Sequence, residues 1–398
     1  MPQAHCGHGT EKLMSERNKN LHRRAAIITG WVFIAVIAFF FLGSLAAKDR
    51  TFSEKENRML EKAPKINAGQ IVSGRYEEKF ETYFSDQFLL RDMWIEIKAG
   101  FDRLTGKVES NGVYLGKDGY LIESFTEPDK KNLEKTCRAM GDFAERHKDI
   151  KQYAMVVPNA VEILSDKLPA FAPGADQGEY LDELGTTLEK QGISFLDMRS
   201  VLEKNRDKKL YYKTDHHWTT EAAYLAFLEA GKTMGYQGTQ TEYSVLPVTG
   251  RFQGTLSAKS GFRLGEKEEL EVFLPKDGAA GSVVNYVDEQ KKTASFYDTK
   301  KLDTRDGYAC FLGGNHPLIR IETPTQSDKT LLVLKDSYAN CYLPFLAASY
   351  RKIVVVDPRY YYGDLEELIQ AEEIEEVLYL YNANTFFSDT SLQMVLPV

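Results

Sequence analysis

The sequence predicts an α/β protein: a mostly parallel sheet with interleaved helices, preceded by one transmembrane helix and interrupted by a β-rich insertion. Three observations carry this. The runs YAMVVP (153–158), SFLDM (194–198), LLVLK (331–335), IVVVDP (353–358) and VLYLYN (377–382) are brief, nearly continuous and apolar, and helical stretches separate most of them. That is the pattern of strands buried on both faces of a parallel sheet. Residues 25–47, AAIITGWVFIAVIAFFFLGSLAA, are uncharged and apolar over the roughly 20 residues that a bilayer crossing needs. Between about 236 and 330 the periodicity becomes irregular and rich in glycine and β-formers, as in EVFLP, SVVNYV and ACFLGG.

Taken in order, residues 1–24 carry Lys12, Arg17, Lys19, Arg23 and Arg24 ahead of the apolar run, and the positive-inside rule keeps them cytoplasmic. Everything after Lys48 is then extracytoplasmic. Ser44-Leu45-Ala46 resembles a cleavage signal, but the run exceeds the usual 7 to 15 residues of a signal-peptide core. An uncleaved single-pass anchor in the cell membrane is therefore expected at 25–47. Residues 48–110 read as a polar stalk (Arg50, Glu54, Lys55, Glu56, Asn57, Arg58) followed by an amphipathic helical region. There Tyr76, Phe80, Tyr83, Phe84 and Phe88 recur at helical spacing, as in core packing. NGVYLGKDGYLIES (111–124) reads as a hairpin turning at Asp118-Gly119. The net charge of −8, with no dense basic block, makes nucleic acid an unexpected partner. Four scattered cysteines, Cys6, Cys137, Cys310 and Cys341, do not make a disulfide scaffold; at most one bridge can form outside the membrane.

Ligands of open parallel sheets bind beyond the carboxyl ends of the strands, which singles out Pro158-Asn159, Asp215 to Trp218, Asp336-Ser337, Arg359-Tyr360 and Asn382 to Asn384. Ser337 follows an apolar strand and precedes a helical stretch, so its hydroxyl can sit at the sheet edge with helix amides beside it. The same position also suits a plain helix cap by Asp336 or Ser337. A serine nucleophile needs a base. His147, His216, His217 and His316 lie on the extracytoplasmic side, and His147 reads as solvated at a charged helix end. In an extended segment Asp215 and His217 point together and His216 points away, which makes a short acid and base pair. Trp218 can wall the site, and Thr219 or Thr220 can cap the next helix. A metal site on Asp215, His216 and His217 is disfavoured by the divergence of neighbouring histidines and by the lack of HExxH or CxxC. No metal and no cofactor are expected. Histidines buried in a hydrogen-bond network remain open as a third reading, and GGNHP (313–317) reads as a turn.

With these residues the chain resembles the DHHW family, named for the tetrad Asp215, His216, His217 and Trp218. More distantly it resembles the membrane-anchored alginate O-acetylation proteins of the SGNH hydrolase superfamily. The supporting stretches are SEKENRML (53–60), YFSDQFLLRD (83–92), GVYLGKDGYL (112–121), GNHPL (314–318), LKDSYAN (334–340) and VVDPRYY (355–361). The resemblance implies a three-layer α/β/α SGNH-like catalytic domain over 111–398, circularly permuted, with the β-rich insertion at about 236–330. It implies Ser337 as nucleophile, His217 as base and Asp215 as orienter, with Arg359 as a second oxyanion donor and Asn382 in the place of the superfamily asparagine. Trp218, Tyr338 and Tyr360 join these as substrate-facing neighbours. Lys335 departs from the pattern, in which glycine precedes the aspartate of the nucleophile turn.

The activity implied is extracytoplasmic O-acetyl transfer onto a cell-surface or exported polysaccharide. Acetyl-coenzyme A is cytoplasmic, so the resemblance also implies a membrane-bound O-acyltransferase partner as acetyl donor. A carbohydrate esterase and an inactive polysaccharide-binding scaffold are the alternatives.

Overall fold

The computed structural model describes residues 8–53, 58–66, 69, 71, 73–236, 240–262, 267–276, 281–304 and 306–396. By its internal contacts the chain divides into Met1–Lys98 and Ala99–Val398.

In the first unit one helix runs His8–Ala46, and its stretch His22–Ala46, of mean hydropathy 2.6, is long and apolar enough to cross a membrane. Helix Arg75–Asp86 follows, and helix Arg91–Leu104 begins here and continues into the second unit. The aromatic stripe lies on and just after the first of these but does not close a core of its own. Phe84 and Phe88 pack against Phe41 and Phe40 at the end of the apolar helix, while Phe80 is exposed. Of the expected stalk, Glu54 to Asn57 lie outside the described residues. Arg50 is tied down, donating its backbone N–H to Gln87 Oε1 at 2.9 Å.

The second unit is built on an eight-stranded sheet. Its strands lie in the order Lys291–Thr293, Val283–Tyr286, Leu318–Glu322, Lys352–Val356, Thr330–Lys335, Glu376–Asn382, Lys151–Val157, Ser194–Phe195. The last five run parallel and the first three antiparallel. All five apolar runs of the sequence are strands of the parallel part, although SFLDM contributes only two residues. Alternate residues feed two separate cores. Leu331, Val333, Ile353, Val355, Leu378 and Leu380 pack with Ala223, Ala226 and Phe227 of helix Thr220–Met234. Leu332, Leu334, Val354, Val356, Val377 and Tyr379 pack with helices Lys130–Arg146, Gln177–Lys190 and Leu365–Glu372. Burial on both faces is why these strands show no hydrophobic alternation.

The β-rich stretch is not a separate body. Three of its strands extend the main sheet, while Tyr243–Phe252 and Glu268–Pro275 pair antiparallel with each other. The hairpin around Asp118-Gly119 is present, its strands joined by residues 116–120 with a tight turn at Lys117–Gly119 in which Asp118 and Gly119 take positive φ (55° and 78°), a conformation that Asp and Gly adopt more readily than most residues. His147, expected to be solvated, is instead largely covered and pairs with Glu366 Oε2 at 2.9 Å. GGNHP does form a turn, with Gly313 and Gly314 at φ 74° and 114°. Cys137, Cys310 and Cys341 are free and buried; Cys6 lies outside the described residues.

Candidate active site

Ser337 stands at a strand-to-helix junction, between strand Thr330–Lys335 and helix Ala339–Leu346. The junction is a tight turn because the Asp336 carboxylate folds back to accept the Tyr338 N–H at 2.9 Å. Its other oxygen accepts the Asn382 N–H and side-chain amide from the adjacent strand. Ser337 is thereby held at the carboxyl edge of the sheet, partly open to solvent. The amides of Tyr338, Ala339 and Asn340 are engaged with Asp336 Oδ1, Asp336 O and Ser337 O. The Ser337 N–H has no acceptor among the described residues.

Lys335, at the position where the resemblance leads glycine to be expected, is the last residue of the strand. Its ammonium is fully buried and donates to Asn315 Oδ1 at 2.8 Å and Asn340 Oδ1 at 2.9 Å, with Asp357 Oδ2 at 3.4 Å. One side chain thus joins the GGNHP turn, the helix after Ser337 and the VVDPRYY segment. Burial pushes the Lys335 ammonium down, against the pull of Asp357.

The acid and base pair comes from a bent loop closed by a bridge between Tyr211 and Trp218. The loop is not extended, and this corrects the expected geometry. His217 donates its backbone N–H to Asp215 Oδ1 at 2.9 Å, and its Nδ1 lies 2.5 Å from the same oxygen. His216 does not point away: its ring centroid is 3.9 Å from that of His217, and its Nδ1 meets Thr255 Oγ1 at 2.9 Å. Thr219 caps the helix beyond, accepting the Ala222 N–H. Across the sheet edge, His217 Nε2 lies 2.8 Å from Ser337 Oγ. Residues 120 positions apart in the chain therefore form one continuous line, Asp215, His217, Ser337.

A carboxylate only accepts hydrogen bonds, so the contact with Asp215 puts the imidazole proton on Nδ1 and leaves the Nε2 lone pair facing the serine hydroxyl. Both Asp215 and His217 are almost wholly buried, at 3% and 5% exposure. Burial alone would raise the Asp215 carboxyl. The charges of His217 and His216 and the hydrogen bonds from His217 and Thr255 outweigh it and hold the group below the usual carboxylate range. Burial, and then His216, bring the His217 imidazole down to about 4 against the opposing pull of Asp215. Asp215, His216 and His217 offer ligand atoms within 4.8 Å of one another. Hydrogen bonds already engage Asp215 with His217 and Thr255, His216 Nδ1 with Thr255, and His217 Nε2 with Ser337. A cation held there would compete with these contacts.

The remaining candidates divide. Arg359 clamps Asp357 through Nε at 2.8 Å and Nη2 at 2.6 Å, and its Nη1 has no acceptor among the described residues. It lies near enough to His217 and Asp336 to bear on their protonation. Tyr360 is exposed, with the Arg359 guanidinium 5.5 Å from its ring centre. Asn382 does not fit a donor role toward the serine. Its amide nitrogen donates to Asp336 Oδ2 and Thr385 Oγ1, and its oxygen accepts from Thr385 N–H and Asn159 Nδ2. Trp218 and Tyr338 are not walls of the site either, since both are fully buried. Trp218 Nε1 donates to Tyr338 O at 3.0 Å with the two rings stacked, and the Tyr338 hydroxyl donates to His216 O. These two brace the loop from beneath.

Sequence reasoning missed the residues that hold the acid and base pair. Thr255 donates its N–H (2.8 Å) and hydroxyl (3.1 Å) to Asp215 Oδ2. Gly254 is required by close approach, for a Cβ there would lie 2.1 Å from Asp215 Cβ. Buried Glu268 accepts from Lys213 N–H, Thr214 N–H and the Thr214 hydroxyl, fixing the loop's other end. The Tyr308 ring stacks on the His217 ring, 3.6 Å between centroids and 10° from parallel. All four come from the β-rich stretch. A Gly-Thr pair opening a short helix (254–255) was the available local signal; nothing in the sequence linked it to Asp215.

Residues 113–292 match the family model of the SGNH hydrolase-like domain, acetyltransferase AlgX. The match includes Asp215 and His217 and ends before Ser337. A curated relative, the probable alginate O-acetylase AlgJ of Pseudomonas fluorescens, is 22% identical over 215 residues, 52% of each chain. The homologous protein of Pseudomonas syringae pv. tomato is 19% identical over 233 residues, 56% of this chain and 57% of that one. The chain spans about half the length of the curated relatives it matches. Among solved structures, a DHHW family protein from Eubacterium siraeum superposes with a TM-score of 0.62 at 21% identity, covering 72% of this chain and 96% of that one. Bacillus cereus PatB1 with a sulfonyl adduct gives 0.58 at 23% identity, covering 70% and 96%. Residues 113–292 thus match an SGNH hydrolase-like domain, the chain shares its fold with a DHHW family protein, and about half of it is similar in sequence to proteins named probable alginate O-acetylase AlgJ.

Proposed function

We propose that this chain is an extracytoplasmic, membrane-anchored O-acetyltransferase that modifies a cell-surface or exported polysaccharide through an acyl-serine. The observation that carries the reading is the line Asp215 to His217 to Ser337, at 2.5 and 2.8 Å, within the hydrogen-bond reach expected of a nucleophile, its base and an orienter. In the first half-reaction His217 Nε2 takes the Ser337 proton as Oγ attacks the acyl carbonyl carbon. The tetrahedral intermediate collapses, the bond to the leaving oxygen breaks, and His217 returns the proton to that oxygen. In the second half a sugar hydroxyl gives its proton to His217 as its oxygen attacks the acyl-serine carbon; the bond from that carbon to Ser337 Oγ then breaks, and His217 returns the proton to Oγ. Ser337 N–H and Arg359 Nη1, which have no acceptor among the described residues, suit the oxyanion of both intermediates. Asn382 then acts only through Asp336, as a positioning residue.

The names of the curated relatives support acetyl as the group and a polysaccharide as acceptor. Exposed Tyr360 offers a face on which a sugar ring can stack. No cofactor is invoked, and a membrane-bound O-acyltransferase supplies the acetyl group from the cytoplasmic pool. The fold is read in detail as a circularly permuted, three-layer SGNH domain. Counting from strand Thr330–Lys335 and rejoining at Lys151–Val157, the parallel strands stand in the order second, first, third, fourth, fifth, a doubly wound arrangement.

The test is turnover of a chromogenic acetyl ester by the full chain, with and without candidate glycans. Ser337→Ala should lower turnover by about 10³-fold or more, and added glycan should divert acetyl from water to sugar. Hydrolysis unchanged by any glycan would make the protein an esterase. A fully active Ser337→Ala would remove the serine mechanism. Glycan binding without labelling of Ser337 by a fluorophosphonate probe would make the chain a scaffold.

A further inference from the structure

Helix Arg91–Leu104 carries an apolar face that no part of the second unit's chemistry uses. At about 100° per residue, Met93, Trp94, Ile97, Phe101 and Leu104 fall within one stripe, while Asp92, Glu96 and Asp102 fall outside it. All five stripe residues are exposed, from 39% at Met93 to 88% at Leu104. A stripe this apolar and this open is a surface made to be covered.

Its approach fixes what covers it. The segment entering the helix packs on the last two turns of the apolar helix His8–Ala46. Phe88 stacks over Phe40 at 5.9 Å, Trp94 meets the same ring edge-on at 5.3 Å, and Phe84 lies 6.0 Å from Phe41. Leu89 donates its N–H to Ser44 Oγ at 2.9 Å, and Gly43 leaves room for the Leu89 side chain, which a Cβ would meet at 2.6 Å. Residues Phe40 to Ser44 belong to the last roughly 10 Å of that helix, at 1.5 Å per residue. If His22–Ala46 crosses a bilayer, whatever packs on those turns sits at the depth of the headgroups and upper acyl chains. Tryptophan is at home there, and an amphipathic helix lies at that depth with its apolar face down. A chain cut after Ala46 would strip Phe84, Phe88 and Trp94 of these partners.

We propose that helix Arg91–Leu104 is an interfacial foot, its Met93 to Leu104 stripe immersed in the lipid leaflet at the carboxyl end of the membrane span. The occupant is the lipid surface itself, because the stripe is continuous with the aromatic collar on the span. The proposal rests on the membrane-anchored reading above, and its test separates the two. The full chain carrying Cys6→Ser is placed in phosphatidylcholine–phosphatidylglycerol nanodiscs, with a nitroxide on one introduced cysteine at a time: Ile97→Cys, Phe101→Cys, Ile34→Cys within the span, and Tyr362→Cys as the exposed reference. Ester turnover of each labelled chain reports folding. The relative accessibility to oxygen and to a water-soluble nickel chelate is then read at each site.

Labels at Ile97 and Phe101 should favour oxygen several-fold over the Tyr362 label, as the Ile34 label does. Labels at Ile97 and Phe101 that favour nickel while Ile34 favours oxygen would overturn the foot and keep the span. Shielding of both from either reagent would mean that protein covers the face, and would also overturn it. An Ile34 label that favours nickel would overturn the anchor on which the proposal stands.

Discussion

The two halves of the candidate site are built in opposite ways. Ser337 is placed by the parallel sheet itself: its own strand, the Asp336 turn, the helix after it, and the hydrogen-bonded neighbouring strand through Asn382. The pair Asp215 and His217 is placed by residues outside that sheet, in the β-rich stretch, namely Gly254, Thr255, Glu268 and Tyr308. A nucleophile on a sheet edge needs little beyond the sheet. A buried aspartate and imidazole need every lone pair and ring face occupied, and a bent loop cannot supply that alone. The β-rich stretch is therefore part of the proposed machinery, and disturbing it should damage the base while leaving the serine in place.

That contrast can be broken most sharply at Gly254. Its backbone, at φ −90°, would accept alanine, so Gly254→Ala tests steric approach alone. The added carbon must move Asp215, and kcat/KM for ester turnover should fall by about 10²-fold, the scale expected for a displacement near 1 Å at a catalytic group. Labelling of Ser337 by a fluorophosphonate should slow in step, while circular dichroism shows the fold retained. Unchanged kinetics would mean that the pair does not depend on the insertion.

The opposite half is tested by Lys335→Met, which removes a buried charge beside Asp357 and takes the ammonium donor from Asn315 and Asn340. Denaturant unfolding should show a loss of about 3 kcal/mol, in the range for breaking one partner of a buried ion pair. The effect is on stability first, because Lys335 joins three segments without meeting Ser337 Oγ. A loss within experimental error would show that water or Arg359 replaces the ammonium.

The smallest effect sharpens the electrostatics of the pair. His217 accepts a proton only when neutral, and its pKa near 4 keeps it neutral above that value. The acid limb of kcat/KM should therefore fall only as pH drops toward 4. His216 is among the causes that depress this pKa, so His216→Ala should raise it and move the limb toward neutral pH, with a few-fold loss at pH 5 and little change at pH 7. A limb that stays put, or moves further to acid, would contradict the assigned influence of His216.

Much of this was legible in the chain, for identifiable reasons. The five apolar runs marked the parallel strands because burial on both faces leaves no alternation to confuse. Asp215, His217 and Ser337 were legible as residues of suitable chemistry at strand ends. Their surroundings were not. An extended segment would turn His216 away from His217, whereas the Asp215 carboxylate bends the loop onto the His217 N–H and brings His216 against His217. Trp218 and Tyr338 look like site walls by proximity in sequence, yet their large apolar rings go beneath the loop, each with its polar atom satisfied. Glu268 and Gly254 carry no motif, since their role is set by which segment folds over Asp215, and that is a tertiary property.

The most direct measurement is to trap the intermediate. The full chain would be mixed with an activated acetyl ester, quenched in acid and digested for mass spectrometry. The expected result is one acetyl group on Ser337 in the wild-type chain and its loss in His217→Ala, with Ser337 still folded in place. Acetyl found on another residue, or on Ser337 equally fast without His217, would contradict it.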